Sequence, residues 1–324
     1  MNTWEGTPMI YTVTFNPAID CVTHCNDLAT GAVNRADAQA FYFGGKGVNV
    51  SFVLAHLGRE STALGYTAGW TGAALEAALH DAGITADFIR LSSGDTRVNI
   101  KLKGTIAGSD ADEVETAVNG PGPVVDDDAF DAFMAKIANV GEGDFLILSG
   151  GLLPGMPVDT YARILDAMAN SGARMVVDAT GETLTRALPY KPFLIKPNDE
   201  ELAEICGCDE NDVDALIAGA RDLQAQGAQN VLVSRGGKGS FIICETGDFM
   251  DAPVIKGELV NSVGAGDSVV AGFVEGYLRA EEAGKSGLEA CESAYKLGQA
   301  CGSATAFSPW LAPTELVEQL LAQL

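Results

Sequence analysis

From Phe145 onward, short apolar runs recur between helical stretches: Phe145 to Leu148, Met175 to Val177, Phe193 to Ile195, Val231 to Val233 and Phe241 to Ile243. Runs this short, rich in β-branched and aromatic residues, read as strands buried on both faces, because they leave no side for polar residues. Strand, crossover and strand again is the rhythm of a mostly parallel sheet with helices on both faces, an α/β sandwich of three layers. Ile10 to Phe15 alternates as a further strand and ends at Asn16-Pro17. The stretch Gly47 to Leu57 carries Val50, Val53, Leu54 and Leu57 on one helical face and stops at Gly58. Asp267 to Leu278 and Leu288 to Phe307 are rich in Ala, Val and Gly, the composition of closely packed buried helices. With 324 residues, 47% of them hydrophobic, the chain can build a large core. One domain over residues 9–324 is expected, behind a loose tail at residues 1–8.

Two segments depart from this rhythm. Arg97-Val-Asn-Ile-Lys-Leu-Lys103, a Gly and Asp turn, Glu113 to Val118 and Asn119-Gly-Pro-Gly-Pro123 read as a polar-faced hairpin. Parts of about 18–42 and 96–124 are therefore expected to form a small β lid over the carboxyl ends of the parallel strands, where α/β sheets bind ligands. A lid sheet with apolar residues on its underside invites a second copy, so a homodimer through the lid is expected.

Lys plus Arg number 20 against 44 Asp plus Glu, and a formal charge of −24 argues against nucleic-acid or anionic-membrane partners. The first twenty residues lack a basic n-region and no run reaches membrane-spanning length, so a cytoplasmic location is expected. Cysteines at 21, 25, 206, 208, 244, 291 and 301 are odd in number and show no Cys-x-x-Cys spacing. Unpaired packed thiols in a reducing compartment are expected. The His residues at 24, 56 and 80 lie apart, which argues against a His-rich metal centre.

The sharpest segment is Asn261-Ser-Val-Gly-Ala-Gly-Asp-Ser268, leading straight into a helical run. Gly264 and Gly266 let the amides of Gly264, Ala265, Gly266 and Asp267 turn together into an anion hole at a helix N-terminus. A carboxylate there would compete with a static anion, but suits a base that takes the proton of a hydroxyl attacking a held phosphoryl group. The plainer alternative is an N-cap Asp that starts the helix. An ordinary Asp, with a pKa near 3.9, suffices for late proton acceptance.

Gly44-Gly45-Lys46-Gly47, followed by Asn49, is a second glycine turn opening a helix, with a cation beside it. Neither it nor Gly236-Gly237-Lys238-Gly239-Ser240 matches the P-loop pattern, and no G-x-G-x-x-G follows the first strand. Arg35, Asp20 and the alternating Arg97, Asn99 and Lys101 are placed to share one cleft. Guanidinium groups chelate phosphate oxygens, and Asp accepts from sugar hydroxyls. Lys196-Pro-Asn198 ends a strand, and Asn198 and Glu201 stand three apart, a spacing that orients hydrated Mg²⁺ or simply begins an acid-rich helix.

Five motifs in order carry a family resemblance: Asn16-Pro-Ala-Ile-Asp20, Val33-Asn-Arg35, Gly44-Gly-Lys-Gly-Val-Asn-Val50, Ile195-Lys-Pro-Asn198 and Val263-Gly-Ala-Gly-Asp-Ser268. The chain resembles the PfkB (ribokinase-like) carbohydrate kinases over about residues 10–310, most nearly the branch acting on ketohexose phosphates. The resemblance implies a ribokinase-like fold and ATP-dependent phosphorylation of D-fructose 1-phosphate at its 6-hydroxyl. Tagatose 6-phosphate or fructose 6-phosphate is the alternative acceptor, and a sugar-phosphate sensor without turnover is the alternative from another class. It makes Asp267 the base. It places Asp20, Gly45, Lys46, Asn49, Arg97 and Asn99 on the sugar phosphate, with Arg35 and Lys101 as weaker candidates. Lys196, Ser234, Gly236, Gly239, Ser262, Gly264 and Gly266 would lie along ATP. Asn198 and Glu201 would hold Mg²⁺ through water, and a monovalent cation is allowed for. One departure stands out: relatives often have Ser-Gly-Ser-Leu-Pro where this chain has Ser149-Gly-Gly-Leu-Leu-Pro154, so Gly151 brings no hydroxyl.

Overall fold

The computed structural model describes residues 8–108 and 114–324. The expected tail up to residue 7, and the end of the lid turn up to Glu113, lie outside the described residues. The first half runs β1 (Ile10–Thr14), β2 (Ala18–His24), β3 (Ala38–Gly44), α1 (Lys46–His56), β4 (Thr62–Ala68), α2 (Gly69–Asp81), β5 (Thr85–Ala86), β6 (Ile89–Leu91), β7 (Arg97–Gly104), β8 (Val114–Asn119) and α3 (Asp127–Ile137). Next come β9 (Phe145–Ser149), α4 (Thr160–Ala167), β10 (Arg174–Asp178), α5 (Gly181–Thr185), β11 (Leu194–Ile195), α6 (Asp199–Cys206), α7 (Val213–Ala225) and β12 (Asn230–Ser234). The chain closes with β13 (Ser240–Ile243), β14 (Phe249–Ala252), α8 (Ala265–Glu282), α9 (Gly287–Ala306) and α10 (Thr314–Leu321).

The main sheet has the order β14-β13-β12-β11-β10-β9-β1-β4-β5, with β6 also on β4. Its strands are parallel from β12 through β5, as the apolar runs require. Strand β13 departs from that expectation and pairs antiparallel with β12, as β14 does with β13. Residues 235–239 are too short a link for a crossover, so the chain folds straight back. Neighbouring strand residues feed opposite cores. Val176, Leu232 and Ile242 join α1, α8 and α9 on one side, while Val177, Val231 and Val233 join α3, α4, α6 and α7 on the other. Helices α8 and α9 pack closely because glycines line their contact: a Cβ at Gly272 would stand 2.7 Å from the Leu297 carbonyl oxygen.

The second sheet, β3-β2-β7-β8, is the expected lid. Register sets Phe41, Cys21, Ile100 and Val118 in one row across it, and Tyr42, Asp20, Asn99 and Asn119 in the next. Alternation turns these rows to opposite faces. Asp20 and Asn99 face the cleft, so the apolar row, with Phe41 57% and Val118 58% exposed, faces outward and not toward the underside as expected.

The cysteine expectation fails at one pair. Cys244 and Cys291, 47 residues apart in sequence, are joined in a disulfide that ties the end of β13 to α9, whereas Cys21, Cys25, Cys206, Cys208 and Cys301 are free. Both bonded residues are fully buried, and only the tertiary fold brings them together, which no local spacing reveals. A cross-link closing a loop of this size restricts the unfolded chain by about 4 kcal/mol. Urea unfolding with and without reductant is expected to differ by up to about that amount; identical midpoints would show that the link contributes nothing.

Candidate active site

A cleft of about 1050 Å³ opens between the lid and the carboxyl ends of the parallel strands. Its centre is the start of α8. Gly264 takes the left-handed conformation (φ 82°) and serves as N-cap, and a Cβ there would come within 2.6 Å of the Leu311 side chain. Asp267 is therefore not the N-cap but the third residue of the helix, 6% exposed. The Ala265 N–H donates to the Ser262 carbonyl (3.2 Å). Those of Gly266 and Asp267 have no acceptor within the first turn and carry the positive end of the helix dipole. The anion cup is thus narrower than the four amides expected.

Asn49 on α1 donates from Nδ2 to the Asp267 Oδ2 at 2.7 Å. It is brought there by the Gly44–Gly47 turn, where Gly45 (φ 119°) leaves no room for a Cβ, which would meet Thr14 at 2.7 Å. Burial first, then repulsion by Asp178, pushes the Asp267 carboxyl up to about 6, against the pull of Asn49, Lys46 and Lys196. The ordinary value expected from sequence does not survive the loss of solvent.

On the lid side, the Asp20 carboxylate accepts from Asn99 Nδ2 (2.8 Å) and pairs with Lys101 Nζ (2.8 Å). Arg97 is half-buried beside it, and its Nε has no hydrogen-bond partner; burial pulls its guanidinium below its usual value, and Asp20 opposes this. On the other side, Asn198 and Glu201 form a reciprocal capping box at the start of α6: Glu201 N–H to Asn198 Oδ1 (2.7 Å) and Asn198 N–H to Glu201 Oε2 (2.9 Å). This is the helix-start alternative. It fixes both side chains at the cleft wall; Asn198 Oδ1 and Glu201 Oε2 each accept a backbone N–H, which leaves Glu201 Oε1 and the second lone pair of Asn198 Oδ1 for a ligand. Hard oxygens of this kind suit Mg²⁺ with its water shell.

Asp20, Gly45, Lys46, Asn49, Arg97, Asn99, Lys196, Asn198, Glu201, Ser234, Gly236, Gly239, Ser262, Gly264, Ala265, Gly266 and Asp267 all line this cleft. Two sequence-predicted residues do not. Arg35 is exposed on the loop between β2 and β3, and Lys101 lines a neighbouring hollow while holding Asp20. Sequence reasoning missed Asp178, whose signal is a carboxylate directly after the apolar run Met175 to Val177. It also missed Gln299, Gly302, Ser303, Ala306 and Phe307, which line the far end of the cleft. Their spacing puts them on one face of α9 and its end.

The family model for pfkB family carbohydrate kinases matches residues 12–310. The chain belongs to this family and is a carbohydrate kinase. It is 41% identical to the 1-phosphofructokinase of Bacillus subtilis over 97% of this chain and 98% of that protein. It is 33% identical to the D-tagatose-1-phosphate kinase of Bacillus licheniformis over 98% of each. Among solved structures, the phosphofructokinase-2 of Escherichia coli in complex with substrates and products superposes with a TM-score of 0.85 at 27% identity, covering 98% of this chain and 99% of that one.

The raised Asp267 carboxyl has a consequence for stability. A folded-state value of about 6 against an ordinary one near 3.9 means that ionisation weighs on the folded state: nothing below pH ~4, fully above pH ~6. Asp267→Asn is therefore expected to be more stable than the native chain at pH 8, by on the order of 1–3 kcal/mol, with the difference vanishing at pH 4. Urea melts at the two pH values measure it, and a variant less stable at pH 8 would contradict the assignment.

Proposed function

We propose that the protein transfers the γ-phosphoryl group of ATP to the 6-hydroxyl of D-fructose 1-phosphate, giving the 1,6-bisphosphate. The observation that carries this reading is the position of Asp267, where the lid half of the cleft meets the α8 half, its carboxyl group at the start of the helix. The sugar ring lies against Asp20, Gly45 and Asn49. Arg97, half-buried with an unpaired Nε, holds the phosphate at the end of the sugar remote from Asp267. That leaves the 6-hydroxyl at the carboxylate, which takes its proton as the oxygen attacks in line. The amides at the α8 start and Lys196 receive the charge on the moving group. When bound, Mg²⁺ held through water by Asn198 and Glu201 offsets charge on the phosphoryl oxygens. Ser234, Gly236, Gly239 and Ser262 line the nucleotide side.

The phosphate position also draws on the relatives: the Bacillus subtilis and Bacillus licheniformis enzymes are both named for sugars that carry it on carbon 1. Tagatose 1-phosphate, differing only at carbon 4, is therefore the rival acceptor nearest in chemistry. Fructose 1-phosphate is expected to exceed fructose 6-phosphate and tagatose 6-phosphate by at least about tenfold in kcat/KM, measured by ADP release. Preference for a 6-phosphate would overturn the orientation, and silence with every ketohexose phosphate would favour a sensor. The acid limb of kcat/KM is expected near pH 6, since activity requires the ionised Asp267 carboxylate and is lost as pH falls through its value. A limb near pH 4 would place the essential group elsewhere.

The outward apolar row of the lid is the surface through which we expect two copies to pair. Sedimentation at micromolar concentration is expected to give a dimer, and Ile100→Glu a monomer. A native monomer would refute the pairing.

A further inference from the structure

The floor of the cleft carries a charged cluster built around a buried carboxylate, Asp178, that has no part in binding the sugar or the nucleotide. At the ends of β9 and β10, Ser149 pairs in register with Asp178, and Lys196 follows one step beyond the Val177–Ile195 pair. Three adjacent parallel strands therefore end level in polar side chains, all buried: Ser149 0%, Asp178 1% and Lys196 6% exposed. Lys46 reaches the same carboxylate from α1. Its Nζ is 3.4 Å from Asp178, and that of Lys196 is 3.5 Å away. The Lys196 ammonium also abuts the helix start, since a Cβ at Gly266 would lie 3.0 Å from it. One buried carboxylate thus gathers two ammonium groups, one from the sugar side and one from the nucleotide side.

An uncompensated buried charge is strongly destabilising, so such a carboxylate is retained only with partners, and partners so held lose their freedom to wander. Lys46, partly exposed on a long flexible stem, would otherwise sample many rotamers over the cleft, and the buried ammonium of Lys196 would lose its counter-charge. We infer that Asp178 is a positioning residue, whose carboxylate fixes Lys46 and Lys196 as a two-ammonium seat on either side of the phosphoryl group in transfer. Asp178 does not touch the reacting atoms. It acts through the lysines, leaving one positive charge of the three groups in excess to meet the moving phosphoryl oxygens. The inference rests on the kinase reading.

The charged groups facing Asp267 are Lys46 from α1, Asp178 from β10 and Lys196 beyond β11, with Asn49 as its neutral donor; Glu201 on α6 also acts on Lys46. Asp178→Asn removes a negative neighbour and frees two positive ones. Its effect on Asp267 has a definite sign: the acid limb of kcat/KM moves to lower pH, by half a unit or more. The kcat is expected to fall about 10²-fold through misplacement. The KM for fructose 1-phosphate and the calorimetric Kd for ATP stay within about threefold. In a Lys46→Met background the same substitution is expected to cost less than about a third of its fold-loss in the native chain, because part of what it positions is already gone. Native-like kcat in Asp178→Asn overturns the inference, as does an equal loss in both backgrounds with an unmoved acid limb. Should Asp178→Asn not fold, Lys46→Met alone carries the test: its acid limb must move to higher pH, and an unmoved limb overturns the inference. Failure of the kinase reading shows instead in the native chain, as absent ADP release.

Discussion

A carboxylate almost out of reach of water must find its charge balance in the protein, and the architecture of this molecule around Asp267 is organised to provide it. The side chain has one hydrogen bond from Asn49, two ammonium groups nearby and a second carboxylate, Asp178, opposing them. Its pKa of about 6 is the net result, with burial as the largest cause. A base of that strength is ionised at neutral pH, yet closer to a hydroxyl's needs than a surface Asp would be.

Each neighbour comes from a different part of the chain, and the parallel sheet is what brings them together. Strands that run in one direction deliver their carboxyl ends to one edge, so Asp178 and Lys196 arrive at the same level. The helices that follow these ends start at the cleft. Glycine then permits the closest approaches: at Gly45 against Thr14, and at Gly266 against the Lys196 ammonium. A methyl group at Gly45 would push the start of α1 away from Thr14 and Pro17, and one at Gly266 would crowd the Lys196 ammonium out of its place. The lid adds a second polar surface, with Asp20 holding Asn99 and Lys101 so that the sheet presents fixed groups to the cleft.

Much of this was legible in the sequence because it is local. Apolar runs between helical stretches specify a parallel sheet, and Gly264-Ala-Gly-Asp267 specifies a helix start with exposed amides. Alternation along Arg97, Asn99 and Lys101 placed those residues on one lid face, but not the fact that Lys101 is spent on Asp20. What was not legible depends on distance in the fold. Nothing local marks Cys244 as the partner of Cys291, and nothing in Met175 to Asp178 announces that two lysines from other elements will meet there. Burial of Asp267, which sets its acidity, is likewise a tertiary property. The turn after β12 misled for another reason: an apolar run looks the same whether its neighbour is parallel or antiparallel, and only the shortness of the link decides.

Single-site replacement of the central carboxylate, followed by steady-state kinetics with ATP and fructose 1-phosphate, tests the account most directly. Asp267→Asn keeps the shape and the contact with Asn49 while losing the proton acceptor. A fall in kcat of at least about 10²-fold with both KM values within a few-fold is the predicted result. Turnover close to that of the native chain would contradict it.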